Sequence, residues 1–414
     1  MKRVVITGLG AITPVGNSVN EMWQNIRNGV SGIDKITLFD TSNFPVKYAA
    51  EVKNYLAGDY FKKLEIKKMA RVTQFAVISA QQAYNDANLE NANIDRERFS
   101  VFFGSGAGGG VEVNDYTNIC GGEYKAVSKM MIPKGLINMV PANIAIKLKA
   151  YGTCIPIVTA CSTGTDCIGM GYRDILQGYS DVVVAGGAEA YITPVGLSGF
   201  NVIGAIANGS NPDRLSIPFD KERNGFVMGE GAGAIILEEL EHAKKRNAKI
   251  YGEILGYATS CDAYSLVAPD ISMKQGARAI KTALENSNLS PDKIDYFNAH
   301  GTGTKMNDSY ETKIIKEVFG EYSGKLPISS TKSMTGHLLG ASGAVEAVII
   351  CKAMEDSYIP PTIGYSVPDE ECDLDYVPCV GRSANIDYAV SNSLGFGGHN
   401  SALVLSKNIQ QHKD

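Results

Sequence analysis

Ile157-Val158-Thr159-Ala160-Cys161-Ser162-Thr163-Gly164-Thr165 decides how the chain is read. The β-branched run Ile157 to Thr159 predicts a buried strand. The Ser/Thr/Gly cluster after Cys161 opens a segment predicted helical from Asp166 to Leu176. A strand-to-helix turn gathers unpaired backbone N–H groups at the positive end of a helix dipole. Both favour a thiolate, so Cys161 reads as an activated nucleophile. A buried structural cysteine is the plainer alternative, and the rest of the chain decides between them.

The stretch has an echo. Pro156 precedes Cys161 by five residues, and Pro327 precedes Lys332 by five in Pro327-Ile-Ser-Ser-Thr-Lys332-Ser-Met-Thr-Gly336. A second pair of segments, Ala76–Gly108 and Ala277–Gly303, repeats in the same order. Each reads as helix, Asn-Leu turn, Asp-containing loop, apolar strand and glycine-rich turn. Two echoes in one order predict an internal duplication. The halves divide near residue 250, where Lys249-Ile-Tyr-Gly-Glu-Ile-Leu-Gly-Tyr257 starts a strand as Arg3–Leu9 does, giving domains 1–250 and 251–409. Alternating strands and helices make each half an α/β unit with a mainly parallel sheet. The duplication is expected to place Cys161 and Lys332 at equivalent helix starts across one cleft.

At 414 residues the chain buries a large core, and its 44 glycines are the one departure from ordinary composition. A net charge of −5 argues against general nucleic-acid binding. Eight cysteines without a CxxC pair fit a reducing compartment better than a disulfide scaffold or a zinc site, and no metal is expected. The start, Met1-Lys2-Arg3 and then uncharged residues to Asn20, superficially resembles a signal peptide, but Gly8, Gly10, Pro14 and Gly16 break any helical segment there. No stretch is long and apolar enough to span a membrane, and a cytoplasmic location is expected.

Two glycine-rich turns, in Val4–Gly16 and Gly104–Gly110, suggest a dinucleotide site, which would make the chain a dehydrogenase. Their spacing is not G-x-G-x-x-G, and neither is followed by an acidic residue at the right strand end. Residues 61–71 carry Lys62, Lys63, Lys67, Lys68 and Arg71, which read as a solvated helix face or as a guide for an acidic partner.

The histidines point to the chemistry. Of five, His242 in a charged helix and His412 in the polar tail read as solvent-facing. His300 in Asn298-Ala-His-Gly-Thr-Gly-Thr304, His337 in Gly336-His337, and His399 in Gly395-Phe-Gly-Gly-His399 stand in the glycine-flanked loops where α/β proteins keep their sites. A cysteine can hold an acyl group as a thioester, and two imidazoles aimed at one point can stabilise an enolate. Backbone N–H groups of Cys161 and the Gly395–Gly397 loop can form an oxyanion hole. Lys332 and Glu346, fourteen residues apart in one helical stretch, can form an ion pair that sets the charge nearby.

With these residues in place the chain resembles the β-ketoacyl-[acyl-carrier-protein] synthases, within them the elongating type II condensing enzymes of bacterial fatty acid synthesis. The resemblance runs through VVITGLG at 4–10, VTACSTGT at 158–165, PFDKERNGFVMGEGAG at 218–233, NAHGTGT at 298–304, STKSMTGHLLGASG at 330–343 and NSLGFGGHN at 392–400. It implies a thiolase-like fold, an internally duplicated five-layer α/β/α/β/α arrangement, usually as a homodimer. By that resemblance Cys161 accepts the acyl chain from its acyl carrier protein. His300 and His337 promote decarboxylation of the malonyl group, and Lys332 and Glu346 support them. Phe396 is the gate of the acyl pocket, Thr302 and Thr304 bind the phosphopantetheine arm, and Ala107, Phe200 and Asp308 complete the substrate site. Lys67, Lys68 and Arg71 meet the acidic carrier protein. No cofactor is implied beyond the arm that the carrier brings.

Some positions depart from the pattern. Ala107 stands where many members carry a bulky isoleucine, so longer or unusual chains are expected to fit. Ser265 replaces a common histidine, and residues 130–146 are irregular, with Lys134-Gly135 in a usually apolar region. These leave a type II polyketide or polyene ketosynthase as the sister reading, with a heterodimer as its assembly. A non-catalytic chain-length subunit usually lacks the cysteine. A thiolase proper needs a second catalytic cysteine, and Cys372 and Cys379 have no supporting motif.

Overall fold

The computed structural model describes residues 2–109 and 119–409; Gly110 and His412 of the features above lie outside them. Ten strands form one sheet among the described residues. The first five are β1 (Val4–Ile12), β2 (Phe99–Gly104), β3 (Cys154–Ile155), β4 (Val182–Glu189) and β5 (Gly231–Glu239). The second five are β6 (Gly252–Cys261), β7 (Tyr296–Asn298), β8 (Ile328–Ser329), β9 (Tyr388–Gly395) and β10 (His399–Ser406). Their order is β8-β7-β9-β10-β6-β1-β5-β4-β2-β3. Counted outward from the centre, 6-10-9-7-8 repeats 1-5-4-2-3 with five added to each number. The duplication is written in the sheet. The halves join where β1 and β6 pair antiparallel, Val4 with Ile254 to Ile6 with Gly252.

Five helices make the layers: α1 (Arg71–Asp86), α2 (Thr163–Leu176), α3 (Lys274–Asn286), α4 (Lys305–Phe319) and α5 (Ser342–Asp356). Helices α2 and α5 touch each other and lie between the half-sheets, α2 against β2, β4 and β10, α5 against β5 and β9. Helix α1 covers β1 and β5 from outside, and α3 covers β6 and β10. Because both faces of the sheet are covered, β1, β2 and β4 read as continuous apolar or small runs and every residue in them is buried.

This packing explains the glycines that suggested a dinucleotide turn. A Cβ on Gly10 would lie 1.9 Å from the Ser79 carbonyl oxygen of α1, and one on Gly8 would lie 2.2 Å from that of Ala83. They let a helix close on a strand. Likewise a Cβ on Gly343 would lie 1.9 Å from Thr165 Oγ1, where α5 meets α2.

Three expectations are corrected. Residues 157–159 are not a strand: the short edge strand β3 ends at Ile155, and Val158 is exposed. The β-branched pattern is real, but no strand among the described residues pairs with it. The sheet is mixed rather than mainly parallel. β5 pairs antiparallel with β1 and β4, and the short turn between β9 and β10 allows only an antiparallel pair. Lys332 is not the counterpart of Cys161. Cys161 lies in the 3₁₀ turn Ala160–Ser162 that leads into α2, whereas the turn leading into α5 is Leu339–Ala341. Ala160 and Leu339 carry matching left-handed φ angles, +50° and +47°, so Gly340 occupies the place of Cys161.

Candidate active site

The turn that carries Cys161 is fixed from both halves. Ala160, a non-glycine residue at positive φ, bends the chain, and α2 starts two residues after the cysteine. The Ser162 hydroxyl donates to the His399 carbonyl at 3.0 Å, tying the turn to β10 of the other half. Cys161 is buried, and loss of water pushes its thiol up to about 12, opposed by the charge of Lys332 and the backbone N–H of Phe396. The dipole argument predicted a thiolate; desolvation outweighs it, and the resting group is a thiol.

Two of the three glycine-loop histidines, His300 and His337, converge on that sulfur. His337 follows Gly336, whose φ of +66° ends the helix Lys332–Thr335, and its backbone N–H donates to the Val227 carbonyl at 2.7 Å. Its Nε2 lies 3.1 Å from Cys161 Sγ and its Nδ1 lies 3.0 Å from Ser342 Oγ. His300 follows β7. Its backbone N–H donates to Glu311 Oε1 at 2.7 Å, and its ring stands edge-on to His337 at 5.3 Å. The cysteine sulfur and one nitrogen from each ring all lie within 4.8 Å of one another. Burial, then the charge of Lys332, holds both imidazoles well below their usual range, so both are neutral. That charge is itself paired: Lys332 Nζ donates to Glu346 Oε1, both side chains almost wholly buried. The two belong to separate helices, not to one stretch. Glu311, also buried, is pushed up to about 7 although it accepts from His300, Gly301 and Asn392.

Two cavities meet at Cys161. The first, about 450 Å³, is lined mainly by apolar groups, among them Ala107, Tyr191, Phe200, Ile203, Leu339 and Phe396. The second, about 270 Å³, runs past His300 and His337 to Thr302, Thr304, Met306 and Asn307. Phe396 and Phe200 line both, with ring centroids 6.1 Å apart. Thr302 and Thr304 face the second cavity with their hydroxyls 3.1 Å apart.

Other predicted residues lie elsewhere. Asp308 is fully buried behind the wall, accepting from the backbone N–H groups of Phe219 at 2.8 Å and Gly303 at 3.2 Å. It shapes the 301–304 loop and does not line either cavity. Arg71 makes a two-pronged pair with buried Glu230 (2.8 and 2.5 Å) and stacks over Phe75, so its charge is already matched within the protein although 32% of the side chain stays exposed. Lys67 and Lys68 are exposed. His242 is not a free surface group, since its Nδ1 lies 2.6 Å from buried Glu238. All eight cysteines are free. Sequence reasoning missed Glu189, a buried carboxylate on the first cavity's wall that accepts from Ser105, Gly106, Ala107 and Gly340. Its one signal was an acidic residue closing the apolar strand Val182–Glu189. Ser342, a partner of His337, stood in the quoted motif at 330–343 without a role of its own, and Glu311, the partner of His300, lay outside every motif.

Comparison with known proteins fits this geometry. Residues 1–243 match the model of the beta-ketoacyl synthase N-terminal domain and residues 251–366 that of its C-terminal domain. The chain belongs to the β-ketoacyl synthase family. It is 46% identical over 408 residues to 3-oxoacyl-[acyl-carrier-protein] synthase 2 of Synechocystis sp., covering 98% of each chain. To the protein of the same name from Coxiella burnetii it is 45% identical over 409 residues, covering 98% of this chain and 99% of that one. Among solved structures it resembles a ketosynthase in complex with its type II polyketide acyl-carrier protein (TM-score 0.89, 34% identity, 99% and 100% coverage). It also resembles the ishigamide ketosynthase/chain length factor, with TM-score 0.91, 34% identity and the same coverage. The fold is therefore that of the thiolase-like ketosynthases. No described helix is long and apolar enough to cross a membrane.

Proposed function

We propose that the chain is an elongating 3-oxoacyl-[acyl-carrier-protein] synthase of fatty acid synthesis. It joins an acyl group held on Cys161 to the two carbons left when a malonyl thioester loses carbon dioxide. One observation carries this: a buried thiol 3.1 Å from one neutral imidazole, with a second imidazole facing both, at the junction of an apolar cavity and a channel whose wall adds the polar side chains of Thr302, Thr304, Asn307 and Asn400. The apolar cavity suits a growing chain, and the channel suits the amide-rich arm of a carrier protein.

The steps follow from the groups present. The Cys161 thiol passes its proton to His337 Nε2 as the sulfur attacks the incoming thioester. The carrier's thiol leaves with that proton, and Cys161 is acylated. A malonyl thioester then enters the channel. Its C–C bond breaks, carbon dioxide departs, and N–H groups of His300 and His337 stabilise the enolate oxygen. Two neutral rings suit this role, since each keeps one N–H to donate. Ser342 supports both tautomers of His337, because its hydroxyl can accept from Nδ1–H or donate to Nδ1. The enolate carbon attacks the Cys161 thioester, whose oxyanion is held by the backbone N–H groups of Cys161 and Phe396. Expulsion of the Cys161 thiolate, which takes up one proton from water, releases the 3-oxoacyl product.

The same reading gives a homodimer. Edge strand β3 ends the sheet with Cys154 and Ile155 exposed, and Tyr151 and Val158 beside them are exposed as well. An open apolar edge of this kind invites a second strand. The type II polyketide alternative rests on Ser265 and on Ala107, a small residue on the first cavity's wall. Intact-protein mass spectrometry tests the function. Acyl-carrier protein should add one acyl group to the wild type and none to Cys161→Ala, and malonyl-carrier protein should then yield a 3-oxoacyl product two carbons longer. Failure to acylate with any saturated chain would refute the fatty acid reading.

A further inference from the structure

One wall of the channel is the start of helix α4, and the start of helix α3 packs beside it. Helices α3 and α4 lie side by side and run in the same direction. Near their starts, a Cβ on Gly276 would fall 3.2 Å from Tyr310 Oη, and farther along Lys281 pairs with Glu317 at 2.8 Å. Thr304, Met306, Asn307 and Tyr310, all at the start of α4, line the channel, and the start of α3 packs behind Tyr310 through Gly276. Lys274 is the first residue of α3, Arg278 follows one turn later, and Lys305 is the first residue of α4. All three are exposed and make no ion pair with another described residue. A surface crevice of about 440 Å³, lined by Ser272, Lys274, Arg278 and Thr282 among others, runs between the helices.

The acidic groups nearby are few and mostly engaged. Asp262, on the channel wall, accepts from Asn400 and from the backbone N–H of Asp270, and Asp270 accepts from the backbone N–H and hydroxyl of Ser272. Glu317 is taken by Lys281, and Glu285 lies toward the far end of the crevice. The end at the channel mouth therefore carries three cations outside any described ion pair against two carboxylates, Asp262 and Asp270, in a chain whose net charge is −5. Met306 on the channel wall is exposed, as are Leu266 and Ile271, which flank the channel-lining stretch Val267-Ala268-Pro269, so apolar surface accompanies these cations. An apolar centre flanked by one sign of charge is the makeup of a transient protein interface.

We propose that Lys274, Arg278 and Lys305 form a second docking patch for the acidic acyl carrier protein, on the C-terminal half and apart from Lys67 and Lys68. The inference rests on the condensing function above and names where its partner sits. It accounts for the exposed cations at the opening through which the arm must enter, which the reaction chemistry leaves unused.

The test compares kcat/KM for malonyl decarboxylation on malonyl-carrier protein with that on malonyl-pantetheine, which has the arm and no carrier. In the triple variant Lys274→Glu, Arg278→Glu, Lys305→Glu the ratio of the two should fall on the order of tenfold or more at low salt. The deficit should fade toward about 0.5 M salt as screening shortens to a few ångströms. A ratio equal to the wild type's, while Lys67→Glu with Lys68→Glu lowers it, would overturn the second patch and leave the function intact. Wild-type protein inactive on both substrates would overturn the condensing function and the patch with it.

Discussion

Ala107→Ile tests how the acyl cavity sets chain length. The wall that bears Ala107 cannot step back. The Gly106 and Ala107 N–H groups donate to the buried Glu189 carboxylate at 2.9 and 3.2 Å, Ser105 Oγ at 2.7 Å and Gly340 N–H at 3.1 Å. Four donors on one carboxylate pin the segment against the turn of the opposite half. A larger side chain must therefore project into the cavity of about 450 Å³. Isoleucine adds about three carbons, so the longest chains forfeit about three buried methylenes at ~0.8 kcal/mol each, ~2.4 kcal/mol in all. At ~1.4 kcal/mol per tenfold, kcat/KM for those chains falls about 50-fold, and shorter chains are untouched. The assay is acylation of Cys161 from a ladder of acyl-carrier proteins, read by intact mass. The longest chain loaded should shorten by two to four carbons (one or two steps of the even-numbered ladder, consistent with about three methylenes lost). An unchanged ladder would show that the chain does not run past residue 107.

Three further outcomes follow from the site. Alkylation of Cys161 by iodoacetamide should accelerate about tenfold per pH unit up to at least pH 10, because burial raises the thiol to about 12 and the thiolate fraction grows all the way there; a plateau beginning below pH 8 would restore the activated thiolate. Glu346→Ala leaves the Lys332 charge buried and alone, and should cost ~3–5 kcal/mol of stability, while Lys332→Met with Glu346→Leu recovers the stability but not decarboxylation. Chemical denaturation and a carbon dioxide release assay separate the two, and a fully active double variant would remove the pair from the mechanism. Arg71→Ala should lower stability by ~3 kcal/mol through the orphaned Glu230, with KM for carrier-borne substrate unchanged at permissive temperature; a raised KM on a fully stable protein would return Arg71 to the docking surface.

Much of this site was legible because its chemistry sits in glycine-flanked turns. Cys161, His300 and His337 are far apart in sequence, yet each stands beside residues that only a special turn would use, and the fold brings them within 4.8 Å. What stayed hidden depends on packing. Asp308 and Arg71 have the right residue type in the right motif, but one faces the protein side of the channel wall and the other folds back on Glu230. Sequence spacing does not tell which way a side chain turns. Residues 157–159 show the same limit for the backbone: β-branched residues favour extended chain, and strand pairing needs a neighbour that the sheet does not supply. Nor does a helix start by itself settle a thiol's charge, because the dipole acts in a site from which water has been removed.

The corrected symmetry shows why one half carries the nucleophile and the other does not. Each half ends its edge segment in a turn at positive φ, Ala160 or Leu339, and each turn packs on a strand of the opposite half: Cys161 beside β9, Gly340 beside β4. At β9 the neighbouring residue is Gly395, which leaves the sulfur room between two cavities. At β4 the space is closed. A Cβ on Gly340 would lie 2.4 Å from the Gly106 nitrogen and 3.0 Å from Glu189 Oε2, so no side chain fits there. What remains is a backbone N–H, and it is given to Glu189, the carboxylate that holds the wall bearing Ala107. One copy of the turn thus performs the chemistry, and the other shapes the cavity that selects the chain. A search for the second half's cysteine would find nothing, since the position of Cys161 is filled by the one residue whose absence of side chain lets the acyl wall close.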